Sequence, residues 1–227
     1  MKEIKYIPIE KIHLVQDKLL NWYSKKGRTF PWREKSASSY ELIISEVLLQ
    51  RTKAETVKKF FPGFISKYPG WDSLRKAPLQ KLQEDLRPVG LYRQKASRVK
   101  KLAESLTQFN GEFPQSIEKI KTLPMIGHYL LSACILFIIK KPAPLLDVNM
   151  ARVLERVFGE RELVDIRYDP YLNNLAARLV NIPYSKSRKL NWAILDLGSV
   201  VCTIKNPRCQ DCPLTGSCNY FESRKRT

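Results

Sequence analysis

An all-α fold follows from three features of this 227-residue sequence. Apolar residues recur at three- and four-residue spacing along most of the chain. Pro and Gly break that pattern at short intervals, and no run resembles a sheet strand. The first helix is marked by Ile12, Val15, Leu19 and Leu20 and ends before KKGRTFPW. A strong helix is predicted over Ser39 to Thr52, SYELIISEVLLQRT. Shorter pieces follow over Val57 to Tyr68 and Trp71 to Lys76, punctuated by Pro62, Pro69 and Pro78. Lys81 to Leu86 stops before RPVG, and Arg93 to Leu106 reads as a basic amphipathic helix. Ile117 to Leu123 leads through PMIG into an apolar, central helix over His128 to Ile139. After KKPAPLLD come helices over Val148 to Phe158, Leu172 to Asn181 and Ser187 to Ser199, and then the cysteine region. Apart from the basic tail SRKRT, no segment is of low complexity. The break at Lys140 to Pro144 separates the central helices from the C-terminal ones. The first helix has no partner nearby in sequence, so it is expected to pack with the C-terminal part. The result is two lobes from a chain that leaves and returns.

Composition narrows the function classes. Hydrophobic content of 44% and charged content of 27% are those of a soluble globular protein. Forty Lys and Arg against 22 Asp and Glu give a net charge of +18. Such a surplus favours a polyanionic partner, because each phosphate contact releases counterions. A membrane surface, a ribosome or a merely basic exterior would also carry it. MKEIKYIPIEKIHLV lacks the apolar run of a signal peptide, and the longest apolar stretch, Ala133 to Ile139, is too short to span a bilayer. The expectation is an intracellular protein without a membrane partner, cytoplasmic, or nucleoid-associated in a prokaryote.

In a reducing compartment, clustered cysteines point to metal. Cys202, Cys209, Cys212 and Cys218 are spaced C-x6-C-x2-C-x5-C. Thiolates suit an iron–sulfur cluster or zinc. A structural zinc site commonly uses two close pairs, whereas only Cys209 and Cys212 form one here. The compact loop, stiffened by Pro207 and Pro213, suits a cubane, and zinc stays open on spacing alone. Cys134, in an apolar helix, reads as core.

Two further motifs carry chemistry. LPMIGHY joins two helices through a turn that can offer backbone N–H groups to a phosphate, or can be an ordinary helix–helix connection. Asp147 precedes a helix, where an Asp commonly serves as N-cap. Glu46 has Leu42, Ile43, Leu49 and Gln50 as its helical neighbours. A carboxylate on so apolar a face is expected to have a raised pKa, as a general acid requires; the alternative is a buried Glu satisfied by a hydrogen bond.

The quartet, the hairpin and the downstream Asp, in this order, resemble the helix–hairpin–helix DNA glycosylases of the endonuclease III superfamily. The resemblance covers about Trp22 to Tyr220. The 18-residue step from Tyr129 to Asp147 looks like the family's separation between its lysine, or a substitute, and its essential Asp. FPWR and SYELIISEVLLQRT look like the opening of the mismatch-specific branches. The resemblance implies a six-helix barrel lobe at about 31–141. A second lobe, 1–30 with 142–227, would bear a [4Fe-4S] cluster on the four cysteines, with DNA across the cleft.

By the same resemblance, Asp147 is the essential carboxylate and Glu46 the acid that meets the departing base. Tyr129 stands where lyase-competent members carry lysine. A phenol forms no Schiff base, so a monofunctional enzyme is expected. Tyr at this place, FPWR, LLQRT and the length resemble the thymine/uracil branch, with guanine opposite. SEVLLQ and LDLG resemble equally the adenine branch, which acts on A opposite G or oxoguanine. A catalytically silent DNA-binding iron–sulfur protein is the reading from another class. Gln50, Arg51, Leu91 and Tyr92 are candidates to probe the duplex. Ile126, Gly127 and His128 would meet phosphate at the hairpin, and Lys205 and Arg208 beside the cysteines. The helix with Arg93, Lys95, Arg98 and Lys101 would meet the DNA backbone or be solvated. Arg152 matches a position near the family's cluster. The hairpin departs from Leu-Pro-Gly-x-Gly, with Met125 in place of the first Gly, where positive φ is wanted. The expected partner is double-stranded DNA with a mismatched or damaged base, bound by a monomer.

Overall fold

The structure, a computed structural model, describes residues 6–225. Twelve α-helices and no strand lie among the described residues: α1 Ile9–Lys26, α2 Ser39–Leu48, α3 Ala54–Lys67, α4 Trp71–Lys76, α5 Leu79–Asp85, α6 Tyr92–Ser105, α7 Ile117–Thr122, α8 His128–Phe137, α9 Val148–Phe158, α10 Pro170–Val180, α11 Tyr184–Val200 and α12 Asn219–Lys225. The chain divides into a unit of Met1–Arg28 with Lys141–Thr227 and a unit of Thr29–Lys140. None of these helices is long and apolar enough to cross a membrane.

In the discontinuous unit, α1 lies on α10 and α11, and α9 packs on α11. Ile12, Val15 and Leu19 of α1 join Met150, Leu154, Leu172, Leu175, Leu190, Ile194 and Leu197 in one apolar core. Each such side chain contributes roughly 1.5–3 kcal/mol by leaving water. Two polar contacts fix the register of α1. Gln16 donates to the Leu179 carbonyl at 2.7 Å. The Arg28 backbone N–H and Nε each donate to the fully buried Asp196 carboxylate at 2.9 Å.

The continuous unit is organised on α2, whose residues Leu42 to Leu48 are all buried. A capping box opens this helix: Ser38 Oγ accepts from the Glu41 N–H, and Glu41 accepts from the Ser38 N–H. The expected helix from Ser39 to Thr52 stops at Leu48, and Arg51 turns the chain with φ +53°. Pro62, read as punctuation, lies inside α3. Its ring faces solvent, so it removes one intrahelical bond while Phe61 and Phe64 keep the buried face. The basic tail is likewise helical as far as Lys225 in α12, and its last residues, Arg226 and Thr227, lie outside the described residues.

Candidate active site

Two groups of candidate residues stand out, one in each unit. In the continuous unit, Glu46 sits on α2 at 5% exposure. Its Oε2 accepts a 2.7 Å hydrogen bond from the hydroxyl of Tyr129, the second residue of α8. The turn between α7 and α8 places Tyr129 at the head of its helix. Met125 in that turn is 44% exposed and adopts φ +68°. Where the resembling family has Gly, the backbone thus keeps a glycine-like conformation despite the side chain, at a cost of about 1 kcal/mol. Gly127 is the extended N-cap of α8, and a Cβ added there would meet nothing within 4 Å. Ile126 is half-buried, and Gly127 and His128 are exposed.

Gln50 and Arg51 occupy the turn after α2. Arg51 is exposed, and Gln50 Oε1 accepts from Arg98 Nη1 of α6. Leu91, 39% exposed, is the N-cap of α6 with a left-handed φ of +46°. Tyr92 follows, with the Arg87 and Arg93 guanidinium groups each 5.7 Å from its ring centre. Lys95, read as a phosphate contact or a solvated residue, is neither. It is 1% exposed and donates to the Leu48 carbonyl at 2.7 Å, Thr52 Oγ1 at 2.6 Å and the Val89 carbonyl at 2.8 Å. Burial draws its ammonium down to about 8.

In the discontinuous unit, Asp147 is half-buried at the N-terminus of α9. Oδ1 accepts from the Asn149 and Met150 N–H groups at 2.9 and 2.8 Å, and Oδ2 from Asn149 Nδ2 at 2.8 Å. The residue is therefore the helix cap that its position suggested. Burial nevertheless raises its carboxyl above the ordinary 3.8, against these hydrogen bonds and the charge of Arg152. The segment delivering it is held by the buried Asn191 of α11, which accepts from the Leu145 N–H at 2.7 Å and donates to the Ala143 carbonyl at 3.1 Å. Arg152 Nη2 donates to Asn149 Oδ1 at 2.9 Å and to the Gly198 carbonyl at 2.6 Å, and Nε donates to the Cys202 carbonyl at 2.8 Å.

Cys202, Cys209, Cys212 and Cys218 carry no disulfide and line a single pocket with Arg156, Pro207, Arg208, Tyr220 and Phe221. Arg156 Nη1 donates to Cys202 Sγ at 3.3 Å, and the guanidinium stacks 4.6 Å from the Tyr220 ring centre. Burial pushes the Cys212 thiol up to about 11, with the other three sulfurs adding to the shift. Among the described residues, no three His, Cys, Asp or Glu form a group able to hold one metal ion. The four cysteines nonetheless line one pocket, and thiolates are the donors that an iron–sulfur cluster or zinc takes. Lys205 is exposed, whereas Arg208 donates to the Val200 carbonyl at 2.7 Å and faces Asp211 at 3.7 Å.

Sequence reasoning singled out Arg152 beside the cysteines and missed Arg156, the residue whose side chain reaches a sulfur. The helical step of four from Arg152 was the available signal. Asn191 was also missed; an Asn among the apolar residues of LNWAILDL was its signal.

Comparison with known proteins gives consistent relatives. The pattern described as "HhH-GPD superfamily base excision DNA repair protein" matches residues 44–167. The thymine-DNA glycosylase of Aeropyrum pernix is 32% identical, over 94% of this chain and 96% of that protein. The thymine/uracil-DNA glycosylase of Pyrobaculum aerophilum is 34% identical, over 93% of each. An adenine DNA glycosylase of Buchnera aphidicola is also 34% identical over 91% of this chain, which spans 58% of that protein. Among solved structures, a thermostable thymine-DNA glycosylase superposes with a TM-score of 0.83 at 29% identity, covering 95% of this chain and 98% of the other. An endonuclease III–DNA covalent intermediate superposes at 0.79 and 25% identity, covering 97% and 100%.

Proposed function

Because the chain belongs to the HhH-GPD superfamily of base excision DNA repair proteins, we propose that it is a monofunctional DNA glycosylase acting on thymine or uracil opposite guanine. The observation that carries this reading is the hydrogen bond from Tyr129 to Glu46. It puts a phenol, not an amine, at the head of α8, so no Schiff base with the opened sugar is available. The near-full-length similarity to thymine and thymine/uracil glycosylases supports the choice of base.

In this mechanism the mispaired base leaves the stack, at a cost of a few kcal/mol that poor pairing reduces. Asp147, ionised, stabilises the oxocarbenium-like sugar or orients the attacking water. Glu46 contacts or protonates the departing base, its carboxyl group held in place by the Tyr129 hydroxyl. Gln50, Arg51, Leu91 and Tyr92 probe the duplex. The hairpin at Ile126, Gly127 and His128, with Lys205 and Arg208, meets phosphates.

Cys202, Cys209, Cys212 and Cys218 would hold a [4Fe-4S] cluster; their shared pocket and soft thiolate donors support the assignment. Bound there, it would supply iron–thiolate bonds that brace the loop. Arg156 tunes the Cys202 sulfur by hydrogen bonding.

The test uses duplexes carrying T:G, U:G, A:G or A:oxoguanine, followed by alkaline cleavage of abasic sites. Product is expected from T:G and U:G, with no strand cut before alkali and no borohydride-trapped adduct. Product from the adenine duplexes alone would assign the chain to the adenine activity. Silence on all four, matched by Asp147→Asn, would leave a DNA-binding protein without this chemistry.

A further inference from the structure

Lys95 is the most deeply buried cation of the continuous unit, and its ammonium donates to no carboxylate among the described residues. Its three N–H donors meet three acceptors: Leu48 carbonyl, Thr52 Oγ1 and Val89 carbonyl. Burying an ammonium is costly, and a Met or Leu would fill similar space without that cost. What the ammonium achieves is a link between two pieces of chain. Leu48 is the last residue of α2, so its carbonyl is one that the helix leaves unpaired. Val89 closes the turn of 3-10 helix over Arg87–Val89. Thr52 completes the link, its hydroxyl donating to the same Val89 carbonyl at 2.5 Å.

Both linked pieces run directly into left-handed backbone. Arg51 and Leu91 have φ of +53° and +46°, and Gly90, where glycine takes it without strain, +65°. Left-handed conformations at non-glycine residues persist where the surroundings over-determine them. Helix α6 supplies that constraint. The Lys95 N–H binds the Leu91 carbonyl at 2.9 Å, the Lys95 side chain ties the two turns together, and Arg98 holds the Gln50 side chain. The apolar Leu91, at the head of this helix, is 39% exposed.

We propose that Lys95 is a positioning residue for base extrusion, latching the turn after α2 to the loop before α6 so that Gln50 and Leu91 meet the duplex as one rigid probe. This rests on the reading of Gln50 and Leu91 as residues that enter the duplex. It removes Lys95 from the phosphate-binding set and gives it a role that no DNA contact is needed to explain.

The test compares Lys95→Met, Thr52→Val and Leu91→Gly in the full-length protein. The probe is a T:G duplex with a 2′-fluoro sugar that blocks cleavage and 2-aminopurine beside the target, whose fluorescence rises on unstacking. Lys95→Met is expected to bind this duplex with little change but to lose the fluorescence rise by about tenfold, with a matching fall in single-turnover excision from an unblocked duplex. Thr52→Val, which keeps the two carbonyl acceptors, should fall between it and the unaltered protein. A merely structural role would lower melting temperature without changing the fluorescence amplitude of the folded fraction. If Leu91→Gly loses the signal while folded Lys95→Met keeps it, the latch is wrong. Where Lys95→Met does not fold, as judged by circular dichroism, Thr52→Val decides by the same signal. A full signal from Leu91→Gly would instead overturn the reading of the probe itself.

Discussion

At the scale of single residues, Asp147 and Met125 show how local energetics and chemistry pull apart. Asp147 caps α9 and is also the carboxylate proposed for the chemical step. Its folded pKa is raised, so whatever stability its protonation state contributes is complete below 3.8 and is lost as pH rises through the raised value. The ionised form therefore weakens the fold at neutral pH. Asp147→Asn, which retains a cap oxygen, is expected to melt no lower than the unaltered protein at pH 7 while excision falls by on the order of 10²-fold or more. Thermal denaturation and single-turnover kinetics check the pair of outcomes. In the unaltered protein, the rate should decline in acid with a midpoint above 3.8, the ordinary carboxylate value. Met125 is strained by its φ of +68°. Met125→Gly should stabilise the protein by about 0.5–1 kcal/mol, the relief of left-handed strain less the entropy of a freer chain. It should bind duplex DNA at least as tightly; clearly weaker binding would show that the side chain itself contacts DNA. Asp147 was legible because an Asp before VNMARVLERVF is a local signal. The conformation of Met125 was not, because Met resists positive φ and only the closure of the hairpin imposes it.

At the scale of elements, α11 sets the geometry around Asp147. Asn191 holds the segment before it, and Gly198 lets α11 approach the first turn of α9. A Cβ on Gly198 would stand 2.9 Å from Asn149 Cβ and 3.1 Å from its carbonyl oxygen. Neither atom is the end of a flexible chain. Gly198→Ala is therefore expected to cost about 1–3 kcal/mol in denaturant unfolding. It should also lower the excision rate more than DNA affinity, because Asn149 donates to the Asp147 carboxylate. Equal excision rates for the two proteins would mean that α9 tolerates the shift. The elements themselves were largely readable. Apolar spacing located α1, α6, α9 and α11, and the errors fell at ends and breaks. Pro62 was read as punctuation within the piece from Val57 to Tyr68, and on its exposed face the helix runs on through it.

At the scale of the whole molecule, the charge of +18 and the cysteine loop make separate expectations. Duplex affinity should fall steeply with salt, log K decreasing by about 0.9 per phosphate contact for each unit of log salt concentration. Cys209→Ala should lose the visible absorbance expected of the proposed cluster, lower the melting temperature and weaken duplex binding before it slows the single-turnover step at saturating protein. A selective loss of the chemical rate with binding intact would require a closer link between the loop and the reaction. By itself the sequence determined the helical class, the C-x6-C-x2-C-x5-C quartet, the hairpin and the carboxylates Glu46 and Asp147. Each is carried by residue type and short spacing, and such signals survive in one dimension. Only the tertiary structure decided that Tyr129 meets Glu46 across 83 positions of chain, that Arg156 reaches a sulfur and that Lys95 is buried. A long-range hydrogen bond, or the burial of a charge, depends on which helices pack together. That packing is settled by the apolar area and polar partners of the whole fold, which no local window contains.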